Sequence, residues 1–139
     1  ILLVFMQIIF GAFVSGLDAG KIYQTWPMMG SSFLPNDLVM SNYKVFFDFK
    51  NHSLVQFYHR VLAYIIVLYV LTLAVYIFKN KLQILYLPLK ILLFFLFLQA
   101  ILGIFTLISD LNILIASSHQ ITSVLLVFSA LNLYYLRVK

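Results

Sequence analysis

Apolar residues fill four long stretches of the chain, and polar segments separate them. The stretches run from about 1 to 15, 54 to 78, 86 to 109 and 113 to 136. The last three are long enough to cross a bilayer, which takes about 20 helical residues. The first is short for a span, so we expect the chain to begin inside a longer helix. The pattern predicts an all-α integral membrane four-helix bundle that forms a single domain over residues 1–139.

The segment from about 16 to 53 breaks this pattern, because it is long, polar and aromatic. Loops longer than about 12–15 residues are usually functional or disordered. Aromatic side chains favour the membrane interface, which argues against disorder here. The aromatic residues of this segment include Tyr23, Trp26, Phe33, Tyr43, Phe46 and Phe47. We expect a folded cap that lies across the outer end of the bundle.

The composition supports a membrane protein, argues against nucleic acid as a partner and limits the possible metal ligands. The chain is 64% hydrophobic and only 9% charged, with a mean hydropathy of +1.06, whereas soluble domains carry about 25% charged residues. Its net charge of +5 comes from Lys and Arg scattered at helix ends, so we expect contact with membrane lipid and not with nucleic acid. There is no cysteine, so a bound metal needs His, carboxylate or thioether ligands.

Charge also predicts the orientation. One side of the membrane carries five cations and no anion: Lys79, Lys81, Lys90, Arg137 and Lys139. The other side balances four cations with four anions: Lys21, Lys44, Lys50, Arg60, Asp18, Asp37, Asp48 and Asp110. By the positive-inside rule, the first side faces the cytoplasm or the mitochondrial matrix. The aromatic loop then lies on the outside.

Two histidines lie inside the second and fourth stretches, where ionisable groups are costly and need partners. His59 lies about five residues past the outer end of its helix and His119 about six, so both are roughly 8–9 Å deep at a rise of 1.5 Å per residue. These two helices run in the same direction, so the imidazoles can face each other and supply both axial ligands of a haem. The alternative is a pair of interhelical hydrogen bonds. Zinc is disfavoured because no third ligand is visible at this level.

Neighbouring residues fit a flat cofactor. Small side chains surround His119, and Gln99, Ala100 and Gly103 form a polar and small patch that we assign to the bundle interior. Small residues near Gly11 in the first helix allow a neighbouring helix or a flat cofactor to approach closely. Of these two interpretations, we favour helix packing. Arg60 either pairs with a haem propionate or extends to lipid phosphate.

Several motifs together resemble the haem A synthase family, and the match covers essentially the whole chain. They are Gly11-Ala-Phe-Val-Ser-Gly16-Leu-Asp-Ala-Gly20, then Tyr23, Thr25, Pro27, Met29 and Gly30, then Gln56-Phe-Tyr-His59-Arg60, and finally Ser118-His119-Gln120. Family members have two similar four-helix halves in tandem, and this chain is similar to the C-terminal half. They oxidise a methyl group of haem O to the formyl group of haem A for terminal oxidases.

The resemblance implies roles for the site residues. His59 and His119 are expected to be the axial ligands of a b-type haem. At the corresponding site Gln56 can orient a ligand or form a hydrogen bond to the haem edge, and Arg60 is the candidate partner of a propionate. In the N-terminal half of the family, an acidic residue thought to serve catalysis stands where this chain has Gln56, a neutral amide that cannot act as a base. This chain is therefore expected to lack the catalytic pocket, and its own catalytic residues are unknown.

The resemblance also implies partners and a location. Haem O is expected to reach the protein through the N-terminal half, and haem O synthase or oxidase-assembly proteins are candidate partners. The membrane is the bacterial plasma membrane or the mitochondrial inner membrane. Two other hypotheses stay open: a stand-alone b-type cytochrome that transfers electrons, and a structural membrane subunit without a cofactor.

Overall fold

The protein, described by a computed structural model for residues 1–38 and 43–138, folds into α-helices joined by irregular segments. The described residues form four α-helices: α1 (Leu2–Gly16), α2 (His52–Lys79), α3 (Tyr86–Ile108) and α4 (Ile113–Val138). No β-strand occurs in the described ranges. The all-α prediction is confirmed, with each helix within two residues of its expected ends. Lys139, which was counted in the charge pattern, lies outside the described residues.

Three of these helices are long and apolar enough to cross a membrane. They are the segments His52–Lys79, Gln83–Ile108 and Ile113–Val138. The segment Gln83–Ile108 includes a short 3-10 helix, Gln83–Leu85, that leads directly into α3. Helix α1 is apolar but shorter, as its pattern predicts.

Helix α2 begins at His52, two residues earlier than predicted, because Asn51 caps it. The Asn51 side-chain oxygen accepts a hydrogen bond from the Leu54 backbone N–H at 3.0 Å, which satisfies one of the free donors at a helix start. His59 is therefore seven residues into α2, and His119 is six residues into α4. At 1.5 Å per residue their depths are about 10 Å and about 9 Å. The two histidines thus keep nearly the same level.

The helices pack as two hairpins, α1 with α2 and α3 with α4, which make fewer contacts with each other than within themselves. The main apolar cluster lies at the bundle end opposite the long loop. Its members are Val4, Ile66, Val70, Ala74, Ile77, Leu85, Leu89, Leu92, Leu96, Leu126 and Leu133. Every α2 and α4 member follows the histidine of its helix in sequence. The half of the bundle next to the long loop, here called the loop half, lies outside this cluster.

The described part of the long loop, residues 17–38 and 43–51, is folded onto the bundle. It contains two 3-10 helices, Ala19–Lys21 and Tyr43–Phe47. Ala19, Gly20 and Met29 are buried. The loop also reaches the turn between α3 and α4, where the Gln24 amide donates a hydrogen bond to Asp110 Oδ1 at 2.7 Å. It thereby contacts both hairpins.

Candidate functional site

His59 and His119 both lie in the loop half of the bundle, His59 in α2 and His119 in α4, at nearly the same level. The described residues contain no group of three or more His, Cys, Asp or Glu side chains that could share one metal ion. His59 belongs to the α1–α2 hairpin and His119 to the α3–α4 hairpin, so each hairpin offers one imidazole.

Helix α1 supports His59. The Gln7 amide nitrogen donates a hydrogen bond to the His59 backbone oxygen at 3.1 Å. The same nitrogen lies 3.2 Å from Nδ1 and 3.3 Å from Nε2 of the ring. One turn further along α1, a methyl group added to Gly11 would lie 3.2 Å from the ring carbon Cε1. A methyl group at position 11 would therefore make a tight contact, and the imidazole would have to shift by a few tenths of an ångström.

Helix α3 supports His119 in the same manner. The Gln99 amide nitrogen donates a hydrogen bond to the His119 backbone oxygen at 2.9 Å, and it also donates to the Thr122 hydroxyl. A methyl group added to Gly103 would lie 3.1 Å from Cε1 of His119. Gln99 is buried, so the inward assignment of Gln99 and Gly103 agrees with these contacts.

These residues fit a haem held by two histidines. Nδ1 of His119 is buried and has no hydrogen-bond partner within residues 1–38 and 43–138. A buried polar atom without a partner is costly, so it marks a place where a ligand or water belongs. Neutral imidazole nitrogens are common iron ligands, and the two glycines leave the space that the rings occupy. The main apolar cluster does not extend into this half of the bundle.

Arg60 and Gln56 bind the long loop. The Arg60 guanidinium donates to the backbone oxygens of Thr25 at 2.8 Å, Met28 at 3.2 Å and Tyr23 at 2.8 Å. The Gln56 amide donates to the Tyr23 oxygen at 2.9 Å. The sequence predicts a haem propionate or a lipid phosphate as the partner of Arg60, whereas the structure gives it three loop carbonyls.

Each of these two side chains keeps one buried polar atom that has no partner in the part of the chain the structure describes: Arg60 Nε and Gln56 Oε1. Both side chains are nearly fully buried, with 8% and 2% of their surface exposed. Arg60 therefore does not extend to the lipid surface. Asp18, whose role the sequence leaves open, forms an exposed ion pair with Lys21 at 3.0 Å.

Comparison with known proteins assigns the chain to a family. A family model described as cytochrome oxidase assembly protein, COX15-CtaA, matches residues 1–131. The chain belongs to the COX15-CtaA family. The family resemblance inferred from the sequence motifs is confirmed by this match and by curated relatives named haem A synthase.

The relatives match nearly all of this chain, but the chain matches only part of each relative. The haem A synthase of Pelagibacter ubique (strain HTCC1062) is 40% identical over 136 residues, which are 96% of this chain and 39% of the relative. That of Wolbachia pipientis wMel is 41% identical over 138 residues, 99% of this chain and 38% of the relative. A third, from Wolbachia pipientis subsp. Culex pipiens (strain wPip), is 43% identical over 99% of this chain and 40% of its own length.

The chain thus spans about two fifths of the length of the curated relatives it matches. No solved structure matches it. Membership of the COX15-CtaA family, together with the three long apolar helices, makes the chain an integral membrane protein whose family serves haem biosynthesis and cytochrome oxidase assembly.

In this COX15-CtaA chain, sequence reasoning missed Gln7. It is an isolated polar residue in the apolar first half of α1, and the motif that carried the resemblance begins after it, at Gly11. A usable signal was present, because Gln7 and Gly11 stand four residues apart, as Gln99 and Gly103 do. Residues four apart share one helix face, so each pair can contact one histidine.

The loop of this family member contains an acid-sensitive link. Asp37 accepts hydrogen bonds from Tyr23 Oη and Ser53 Oγ, both at 2.6 Å. Burial acts to raise the pKa of Asp37, but the hydrogen bonds from Ser53 and Tyr23 outweigh it and lower that pKa below its ordinary value of 3.8. A carboxyl group with a lowered pKa in the folded state stabilises the fold only while it is ionised.

We expect the stabilising hydrogen bonds from Tyr23 and Ser53 to the Asp37 carboxylate to be lost as the pH falls below 3.8 and through the lowered pKa of Asp37. Fluorescence of Trp26, the one tryptophan of the chain, measures the change, since Trp26 lies in the same loop. Asp37→Asn should remove the acid transition, and Asp48→Asn, in the same loop, should retain it. An unchanged transition in Asp37→Asn would assign it to another carboxyl group.

Proposed function

We propose that this chain is the C-terminal, haem-binding half of a haem A synthase, the membrane oxidoreductase that oxidises a methyl group of haem O to the formyl group of haem A. The observation that carries the proposal is the pair of histidines, at nearly the same depth in parallel helices α2 and α4, each seated against a glycine of the neighbouring helix. The relatives' name supplies the product, haem A, and the family resemblance of the motifs implies the reaction that forms it.

In this proposal His59 and His119 hold a b-type haem, which when bound supplies one-electron redox chemistry. The chain's own residues hold and shield that group. Gly11 and Gly103 leave room for the imidazoles. Arg60 and Gln56 bind the backbone of the long loop, which closes the bundle end next to the histidines and limits access of water.

The remainder of the enzyme is proposed to lie in a similar N-terminal four-helix half, giving eight helices in all. This agrees with the length of the relatives, about two and a half times that of the chain. That half would bind haem O and supply the catalytic residues, since Gln56 is a neutral amide and cannot act as a base. The proposed location is the bacterial plasma membrane or the mitochondrial inner membrane, with haem O synthase or oxidase-assembly proteins as neighbours.

Two measurements test the proposal. The purified chain, supplied with haem during expression, should show the reduced-minus-oxidised spectrum of a low-spin b-type haem at one haem per chain. The chain joined to the N-terminal half of a haem A synthase relative should then form haem A, detected by chromatography, in a host that lacks its own enzyme.

The outcomes separate the candidate functions. A low-spin haem without haem A formation in the fusion would favour the stand-alone cytochrome over the synthase half. A colourless chain, alone and in the fusion, would contradict both and favour a structural subunit. The matched negative control is the same fusion carrying His59→Ala and His119→Ala.

A further inference from the structure

The two hairpins of this chain support their histidines with the same pair of residues, and we propose that these pairs position the two haem ligands. Gln7 with Gly11 in α1 sets the height and ring orientation of His59 in α2. Gln99 with Gly103 in α3 does the same for His119. The inference rests on the proposed haem site and goes beyond it by assigning roles to residues of the two helices that carry no ligand.

The glutamines fix the height of each histidine. Both donate from the amide nitrogen to the backbone oxygen of the histidine on the next helix, at 3.1 Å from Gln7 and 2.9 Å from Gln99. A backbone oxygen in a helix already accepts one hydrogen bond and can accept a second. Because this hydrogen bond is made to the histidine backbone and not to the ring alone, it prevents one helix from sliding along the other at the level of the ligand.

The glycines fix the ring orientation. Each added methyl group would lie 3.2 Å or 3.1 Å from Cε1, the ring carbon between the two nitrogens. For His119 the added methyl group would be 3.6 Å from both Nδ1 and Nε2. The Cε1 edge of each ring thus faces the neighbouring helix, and the nitrogens lie on either side of that contact. A side chain at either glycine position would turn or push the ring.

The repetition argues against chance packing. The match between the hairpins also extends past the glycines to the end of each first helix, where Phe13 and Asp18 correspond to Phe105 and Asp110. Both aspartates adopt the left-handed conformation, with φ of 54° and 56°, which is uncommon outside glycine. The long loop interrupts only the first hairpin. One supporting arrangement is therefore built twice, once for each ligand.

The contacts that position an axial imidazole also affect how the haem is bound. Contacts around a metal-bound imidazole set its orientation and basicity, and removing them typically weakens metal binding about 10–100-fold. Ring orientation also affects the electronic structure of the iron, which the g values of the oxidised haem report. A purely structural role for Gln7 or Gly11 would change stability and leave those g values alone.

The test uses four single variants of the chain: Gly11→Ala, Gly103→Ala, Gln7→Leu and Gln99→Leu. Two controls repeat the same chemical changes elsewhere. Gly16→Ala adds a methyl group at a position where, apart from the adjoining residues and the backbone of α1, no atom of the described chain lies within 4 Å. Gln83→Leu changes an exposed glutamine at the opposite end of the bundle. Each protein is measured for haem per chain, haem dissociation rate, midpoint potential and the largest g value of the oxidised low-spin haem.

We expect all four variants to bind haem about 10-fold more weakly than the wild type, with a shifted g value and potential, and both controls to match the wild type. If the glutamine variants fail to fold, the glycine variants carry the test, because they remove no hydrogen bond. Unchanged g values and dissociation rates in folded variants overturn the positioning role alone. A wild-type chain without haem overturns the proposed function, and the inference with it.

Discussion

Replacing either His59 or His119 with alanine is expected to abolish the low-spin haem signal of the purified chain. Each change removes one of the two proposed axial ligands, and among the described residues no third His, Cys or carboxylate completes a metal-ligating group with them. A single imidazole leaves the iron five-coordinate and high-spin, or lets the haem dissociate. The reduced-minus-oxidised spectrum and the low-spin resonance of the oxidised protein both measure this loss.

His52→Ala is the matched control, because His52 is exposed at the first position of α2, while His59 lies two turns deeper. We expect it to retain the full haem content. Circular dichroism of each variant should show the same helix content, which separates loss of a ligand from loss of the fold. Full low-spin haem in a folded His119→Ala protein would contradict the axial-ligand assignment and return this histidine to an interhelical hydrogen-bonding role.

Sequence reasoning recovered the helices because each apolar stretch has the length and composition of a membrane helix, and such stretches have few alternative structures. It placed the start of α2 two residues too late, because the cap by Asn51 is a local hydrogen bond that hydropathy does not report. The comparable depth of His59 and His119 followed from counting residues from the helix ends. It survives the change of boundary, since both histidines still lie within one residue of the same level.

The surroundings of the histidines were harder to predict, because they depend on which helices are neighbours. The four-residue spacing of Gln7 and Gly11 places both on one face of α1, but it does not say that this face meets His59. Arg60 shows the same limit. Its charge and depth predicted an anionic partner, yet backbone oxygens of a loop more than thirty positions earlier in the sequence bind it. Backbone acceptors are present in every sequence and leave no signal in composition.

Removing the guanidinium of Arg60 is expected to release the long loop from the bundle. Arg60 donates hydrogen bonds to three loop carbonyls and is only 8% exposed. Hydrogen bonds from a charged donor are worth about 1.5–3 kcal/mol each, and a buried acceptor left without a donor costs about 1–3 kcal/mol. Because the released carbonyls can regain water when the loop opens, we expect Arg60→Leu to destabilise the closed loop by about 2–4 kcal/mol.

Proteolysis reports this opening, since cleavage within a folded loop follows the population of its open form. A loss of about 2 kcal/mol raises that population about 30-fold, so trypsin should cut at Lys50 at least 10-fold faster in Arg60→Leu than in the wild type. Arg60→Lys keeps the charge but lacks the planar fork of donors, so we expect an intermediate rate. Arg137→Leu, an exposed change at the opposite end of the bundle, should match the wild type.

Measuring haem content in the same variants separates the two roles that Arg60 could have. If Arg60 only holds the loop, the Arg60→Leu protein should still contain haem after purification in detergent. Its rate of haem dissociation should rise in proportion to loop opening. If it also contacts a propionate, through the buried Nε that has no partner among the described residues, haem should be lost even when the loop remains resistant to trypsin. Wild-type cleavage and wild-type haem content together would mean that the carbonyl contacts of Arg60 contribute little to the closed loop.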